Sequence, residues 1–135
     1  MANSTALAIF SAAAASISSS CFFEHKALYI TKGEVPDDPD FCIPFGKADI
    51  KREGSDVTIV TNLLYVSRAL EAAEELAKEG ISVEVIDPRT LVPFDYDTVT
   101  ESVKKTGRLV VVHEAHQNCG WGAQVIAEVS KRAFR

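Results

Sequence analysis

The stretch "VTIVTNLLYVSRALEAAEELAKEGISVEVI", Val57–Ile86, decides the fold. It opens on a nearly continuous β-branched run, "VTIV" (57–60), and closes on another, "ISVEVI" (81–86). Short unbroken apolar runs are the pattern of strands covered on both faces, as in parallel sheets. Between them the period changes to that of a helix. Val66, Ala69, Leu70, Ala73, Leu76 and Ala77 recur on one face, and Glu71, Glu74, Glu75 and Lys78 take the other. Glu74 and Lys78 form a favourable i,i+4 pair, and Gly80 stands where a helix stops. The passage from strand to strand takes about twenty residues, the length of a right-handed crossover through a helix.

The pattern then repeats. A second helix is predicted to open at Asp95, a suitable N-cap, to bury Tyr96, Val99 and Val103, and to end at Gly107. "RLVVVH" (108–113) reads as the third strand. A third helix begins near Gly120, with Asn118 a candidate N-cap, and buries Val125, Ile126, Val129 and Ala133. Upstream, "KADIKREGSD" (47–56) supplies an edge strand and a turn. The expected fold class is α/β, a three-layer domain with a mainly parallel sheet over residues 47–135.

The rest of the chain is punctuation. "KGEVPDDPDFCIPFGK" (32–47) holds Pro36, Pro39 and Pro44, which fit neither helix interior nor central strand, and reads as a linker. It separates a short upstream piece, "CFFEHKALYI", from the domain, giving a segment 22–46. Residues 1–21 are Ala/Ser-rich, and "MANSTALAIFSAAAASISSS" has no charged side chain. An apolar run at Ala6–Ala15 resembles the core of a signal peptide, but the basic leader is missing. A mitochondrial transit peptide would be rich in arginine. The run is too short and too rich in serine for a membrane span.

The 135 residues allow one domain with a real core, in which roughly two thirds of the unfolded chain's surface can be buried. Fourteen basic against 19 acidic residues give a net charge of −5. Without a long Lys/Arg run there is no electrostatic footprint for nucleic acid. Cys21, Cys42 and Cys119 are too few and too scattered for a disulfide framework and fit a reducing compartment.

The richest chemistry lies in "VVVHEAHQNCGWGAQVIAEV" (110–129). His113, Glu114, His116 and Cys119 are residue types that hold metals, with Cys119 the natural third ligand beside the two histidines. Yet H-E-x-H is not the helical H-E-x-x-H, and no paired-ligand spacing supports it. A strand end followed by a polar loop accounts for the same residues. "GWG" (120–122) could offer backbone N–H groups to an anion, but G-x-G-x-x-G is broken by Val125. Close helix-to-sheet packing explains those glycines equally well. Cys119 could be a low-pKa thiol at a helix N-terminus, although no Cys-His-Asn set can be assigned. In "IDPRTLVPFD" (86–95), Arg89 is a planar donor suited to an interface carboxylate, or a plain solvated arginine.

Taken together, "REGSDVTIVT", "ALEAAEELAKEGISVEVIDPRTLVPFDYDTV", "ESVKKTGRLVVVHEA" and "GWGAQVIAEV" closely resemble the beta subunit of thiamine diphosphate-dependent 2-oxo acid dehydrogenases. Members act on pyruvate, branched-chain 2-oxo acids or acetoin, and the likeness is strongest to the pyruvate type. It covers about residues 43–134, a transketolase-like C-terminal domain. It reaches back over "FFEHKALYITKGEVPDD", which resembles the last strand of a preceding domain and its linker.

The resemblance implies a division of labour. An alpha subunit holds the diphosphate and magnesium. The beta subunit's N-terminal domain holds the aminopyrimidine and supplies the activating glutamate, and the cofactor is the electron sink for decarboxylation. The C-terminal beta domain serves assembly with the alpha subunit and a second beta subunit, and docking on the dihydrolipoyl acyltransferase core. On that basis this chain reads as a truncated relative or fragment. No catalytic, cofactor-binding or metal-binding residue of the family has a position here, neither thiamine diphosphate nor magnesium is expected on the chain alone, and no activity is expected from it alone. An oligomer in the cytoplasm is expected, with the mitochondrial matrix as the alternative location and no membrane or nucleic acid as partner. The other reading is a stand-alone interaction or metal-binding α/β module using His113, His116 and Cys119. Two departures from the family stand out: Cys119-Gly120 where relatives commonly show two glycines, and "TNLLYV" where a "TYG" or "TYS" start is usual.

Overall fold

The computed structural model describes residues 21–33, 36–38 and 41–133. The Ala/Ser-rich segment of residues 1–20, with its apolar run, and Pro39 in the linker lie outside these. The chain divides into two units, one up to Phe45 and one from Gly46 onward.

In the first unit, Lys26–Ile30 form a 3₁₀ turn without buried side chains. His25 opens it by accepting the N–H of Ala27 on Nδ1 at 3.2 Å. The sequence resembles the last strand of a preceding domain over this piece; here it takes the form of a 3₁₀ turn. A strand needs a hydrogen-bonding neighbour, and none pairs with it among the described residues.

The second unit is a four-stranded sheet between helical layers. Its strands are β1 (Asp49–Arg52), β2 (Val57–Thr61), β3 (Val83–Asp87) and β4 (Leu109–Val112), in the order β1-β3-β2-β4. β2 is parallel to both β3 and β4, with Ile59 beside Val85 on one side and Val110 on the other. β1 runs antiparallel to β3, pairing Asp49 with Asp87 and Ile50 with Ile86, and bulges before Arg52. The helices are α1 (Leu64–Lys78), α2 (Tyr96–Thr106) and α3 (Trp121–Ala133).

Alternation along the strands sorts the core onto two faces. Ile59, Val83 and Val85 pack against Ala69 and Ala73 of α1. Val60 and Ile86 pack against Val99 and Val103 of α2 and Val125 and Val129 of α3. On the α2 side Thr58 is fully buried, and its hydroxyl lies 2.6 Å from Ser102 Oγ and 2.7 Å from Thr106 Oγ1. The fold class is as the sequence indicates: α/β, three layers, a mostly parallel sheet with one antiparallel edge strand.

The predicted helix ends hold. Asp95 caps α2 by accepting the N–H of Thr98, and Gly107 closes it at φ 69°. Gly80, at φ 82°, follows the end of α1. Details differ on the outer faces. Ala77 is exposed and Ile126 is 50% exposed, because α1 and α3 each bury only a narrow stripe against the sheet. Lys78 pairs with Glu75 at 2.7 Å rather than with Glu74. Asn118 lies in a turn with Cys119, two residues before Gly120 and the start of α3, so it is not that helix's N-cap.

Candidate functional site

In an open parallel sheet, loops after the strands' C-terminal ends are where sites gather, above all where the strand order reverses. Here the chain passes from β2 to β3 on one side and then to β4 on the other, so the reversal lies between β2 and β4. The loops there are Asn62–Leu63 after β2 and residues 113–120 after β4, the stretch richest in reactive side chains.

His113 leaves β4 half-buried. Its ring lies 5.1 Å from that of Trp121, centroid to centroid. It also fills the space over the glycines. A Cβ on Gly122 would come within 2.4 Å of His113 Nε2 and 3.1 Å of Val111 Cγ1. A Cβ on Gly120 would meet the His116 carbonyl oxygen at 2.2 Å. Glycine is required at both positions because the helix start sits directly on the strand end. The "GWG" is thus packed shut by an imidazole. His113 Nδ1 is buried with no hydrogen-bond partner.

His116 and Cys119 are exposed, as is Glu114. Among the described residues no three His, Cys, Asp or Glu side chains are grouped to hold a metal ion. The loop therefore does not gather His113, His116 and Cys119 as the metal reading requires. Cys119 has φ 62°, and Leu63, after β2, has φ 54° and ψ −130°. Both are left-handed conformations that favour glycine. The backbone thus takes a conformation suited to glycine at both positions without a glycine, and does so at Arg89 as well, at φ 57°.

Arg89 neither faces solvent freely nor waits for a foreign carboxylate. Its Nη2 donates to Asp49 Oδ2 at 2.6 Å, and its backbone N–H donates to Asp87 Oδ1 at 2.9 Å. Burial pushes Asp49 up, but Lys51 and Arg89 together hold its carboxyl below the ordinary range. Asp87 goes the other way: burial raises it, and the N–H of Arg89 and the charges of Lys51 and Arg89 offset that only in part. The bridge fastens edge strand β1 to the exit of β3.

Sequence reasoning missed the most buried charge. Glu84, the second residue of β3, is 1% exposed. Lys105 of α2 donates to its carboxylate, and the N–H of Gly54 donates to Oε2 at 3.2 Å. Burial raises its pKa, but hydrogen bonds from Lys105, Ser102 and Gly54 outweigh that and leave it low. The signal was present: one glutamate inside an otherwise apolar run, "ISVEVI", calls for a cation within reach. Glu84 also lies in an open groove with Ile50, Glu53, Asp97, Glu101 and Lys105.

Tyr96, Phe94 and Trp121 form an aromatic row, with the Phe94 ring in the middle, 4.6 Å from Tyr96 and 6.4 Å from Trp121 between centroids. The guanidinium of Arg132 lies 4.9 Å from the centre of the Tyr96 ring. The row ties the start of α2 to both ends of α3. No helix among the described residues is long and apolar enough to cross a membrane.

Comparison with known proteins adds the following. The family model described as "Transketolase, C-terminal domain" matches residues 46–135. The beta subunit of acetoin:2,6-dichlorophenolindophenol oxidoreductase from Cupriavidus necator is 57% identical over 113 residues, 84% of this chain and 33% of that one. Pyruvate dehydrogenase E1 component subunit beta from Staphylococcus aureus is 50% identical over 114 residues, 84% and 35% of the two chains. The same subunit from Bacillus subtilis matches at the same identity and coverage. A solved structure, "Split gene transketolase, inactive beta4 tetramer", superposes with a TM-score of 0.65 at 36% identity, covering 73% of this chain and 32% of that one. The chain spans about a third of the length of these relatives.

Proposed function

Because the chain belongs to the transketolase C-terminal domain family, we propose that it acts as the C-terminal assembly domain of a 2-oxo acid dehydrogenase-type beta subunit, of the acetoin or pyruvate kind. One observation carries this reading. The relatives at 57% and 50% identity are beta subunits, and each match covers 84% of this chain. In this reading residues 47–135 are the working domain, residues 22–46 a connector and residues 1–21 a separate leading segment. The partners are an alpha subunit, a second beta subunit and the dihydrolipoyl acyltransferase core, assembled in the cytoplasm.

The family's cofactor is thiamine diphosphate, which supplies the electron sink when bound with magnesium. The residues described here do not fit it. The glycine pair of "GWG" is filled by the His113 ring, and among the described residues no cluster of His, Cys, Asp or Glu is spaced for a cation. No catalytic step is therefore assigned to this chain. Its contribution is to hold a rigid sheet and present its outer surfaces to partners.

The test is reconstitution. The purified chain is mixed with a dehydrogenase alpha subunit, thiamine diphosphate, magnesium and pyruvate, branched-chain 2-oxo acids or acetoin in turn. Association without turnover is expected. Decarboxylation by the chain alone, or failure to associate with an alpha subunit from any of these enzyme types, would overturn the proposal.

A further inference from the structure

Two carboxylates face each other across one edge of the sheet. In the antiparallel pair of β1 and β3, Asp49 stands directly opposite Asp87. Residues opposite one another in such a ladder point to the same face, with Cβ atoms about 4.5–5.5 Å apart, and like charges there are destabilising. The face is the α1 side, since Val83 and Val85, four and two residues before Asp87, belong to the cluster under α1.

One residue touches both carboxylates. The guanidinium of Arg89 donates to Asp49 Oδ2 at 2.6 Å, and its backbone N–H donates to Asp87 Oδ1 at 2.9 Å. Lys51, two residues along β1, also reaches Asp49 Oδ2, at 2.5 Å. Both cationic groups are thus bonded to Asp49, and the bond given to Asp87 comes from a neutral N–H. The other elements packed on β3 bring no further compensation. The first turn of α1 holds no acidic residue, and its Arg68 is paired with Glu71 at 3.1 Å. The last residue of β2, Thr61, is uncharged.

We propose that Asp49 and Asp87 share one proton, carried by Asp87, and that the pair is a pH-sensitive latch on edge strand β1. With the proton in place, Asp87 keeps Oδ1 as acceptor for the Arg89 N–H and donates its O–H to the Asp49 carboxylate. When the proton leaves to water, two anions stand opposite each other on neighbouring strands. β1, four residues long and bulged before Arg52, is the strand that yields. The two environments are pushed apart in the way that marks a proton-sharing pair. Burial raises Asp87, and the Asp49 charge adds to that, against the Arg89 N–H and the charges of Lys51 and Arg89. Burial acts upward on Asp49 too, but Lys51 and Arg89 outweigh it. An acid raised in the fold stabilises fully below its unfolded value, and that contribution is lost as pH rises through the folded one. The latch is therefore closed in acid and loosens as pH rises. The inference rests on this edge alone and is independent of the dehydrogenase reading.

Carboxyl-carbon NMR of the full 135-residue chain reads both titrations, and hydrogen exchange reads the strand. In the wild type, Asp87 should titrate above the ordinary 3.8 and Asp49 below it. In Asp49→Asn the Asp87 midpoint should fall, because the like charge is gone and Lys51 and Arg89 are left to face Asp87. Protection of amides 49–52, taken relative to those of β2, should drop as pH rises through the Asp87 midpoint. Asp87→Asn, neutral at every pH, should abolish the drop, with circular dichroism confirming that both variants fold. The wild-type titration decides without any variant: an Asp87 midpoint at or below 3.8 refutes the latch. So does a midpoint unmoved by Asp49→Asn, a relative protection that ignores pH, or a drop that persists in Asp87→Asn.

Discussion

The ammonium group of Lys105, half in solvent at the end of α2, closes on the carboxylate of Glu84, which stands second in β3 at 1% exposure. The pair joins one helix to the sheet, and Gly54 joins the turn after β1 to the same oxygen. Removing one member of a buried pair leaves the other without compensation, and that cost dominates over the pair's own net worth.

Lys105→Ala is therefore expected to destabilise the chain by about 1–3 kcal/mol, below the range for fully buried pairs because Lys105 is 46% exposed and water can reach the gap. Glu84→Gln, which keeps an acceptor for Gly54, should cost less. Urea unfolding of the two variants against the wild type checks both the sign and the order.

The acid limb of stability follows from the same carboxylate. Glu84, Asp49 and Asp95 all have folded pKa values below their ordinary ones. Burial raises each, and cations or N–H donors outweigh it. A depressed folded value gives stability that is present above the unfolded value and lost as pH falls through the folded one. Asp87, raised by burial, works in the opposite sense and favours the fold once protonated. Unfolding free energy should therefore fall as pH drops below the ordinary glutamate value of 4.5. The slope should be shallower in Glu84→Gln, and an unchanged slope would remove Glu84 from the account.

Cys119→Gly should stabilise the chain. At φ 62° a side chain costs about 1–2 kcal/mol, while the extra unfolded-state freedom of glycine returns about 0.5–1 kcal/mol. The net gain expected is about 1 kcal/mol or less, read as a rise in melting temperature. A fall would mean that the exposed thiol makes a contact worth more than the backbone strain.

Gly122→Ala should do the reverse. Its Cβ would sit 2.4 Å from His113 Nε2, and the ring is wedged beside Trp121. Overpacking of this kind costs about 1–3 kcal/mol. The tryptophan's fluorescence should report the displaced ring as well as the lowered midpoint.

Much of this fold was legible because its signals are local. "VTIV" and "ISVEVI" mark buried strands, Asp95 and Gly107 bracket α2, and Gly80 ends α1. What failed depended on neighbours. Ile126 lies on a helix at the rim of the layers, where only the Gly122–Val125–Val129 stripe has something to pack on. Glu84 reads as a flaw in an apolar run until Lys105, twenty-one residues on, is folded over it. The loop at 113–120 offered metal-binding residue types, but its backbone spends His113 on packing and leaves His116 and Cys119 outside. The strain at Leu63 and Cys119 was not legible, since torsion angles leave no periodicity in a sequence.

The hydroxyls of Thr58, Ser102 and Thr106 give the two helical layers different mechanical characters. On the α1 side the contact is alanine on valine, smooth and without direction. On the α2 side three hydroxyls meet within 2.7 Å of one another along the chain Ser102–Thr58–Thr106. Shifting α2 along β2 by one residue would leave them facing apolar neighbours, at about 1–3 kcal/mol for each unmet group. α2 is therefore keyed to the sheet like a gear tooth, and α1 rests on it like a bearing. Any sliding of helices under load from a partner should occur in the alanine layer first.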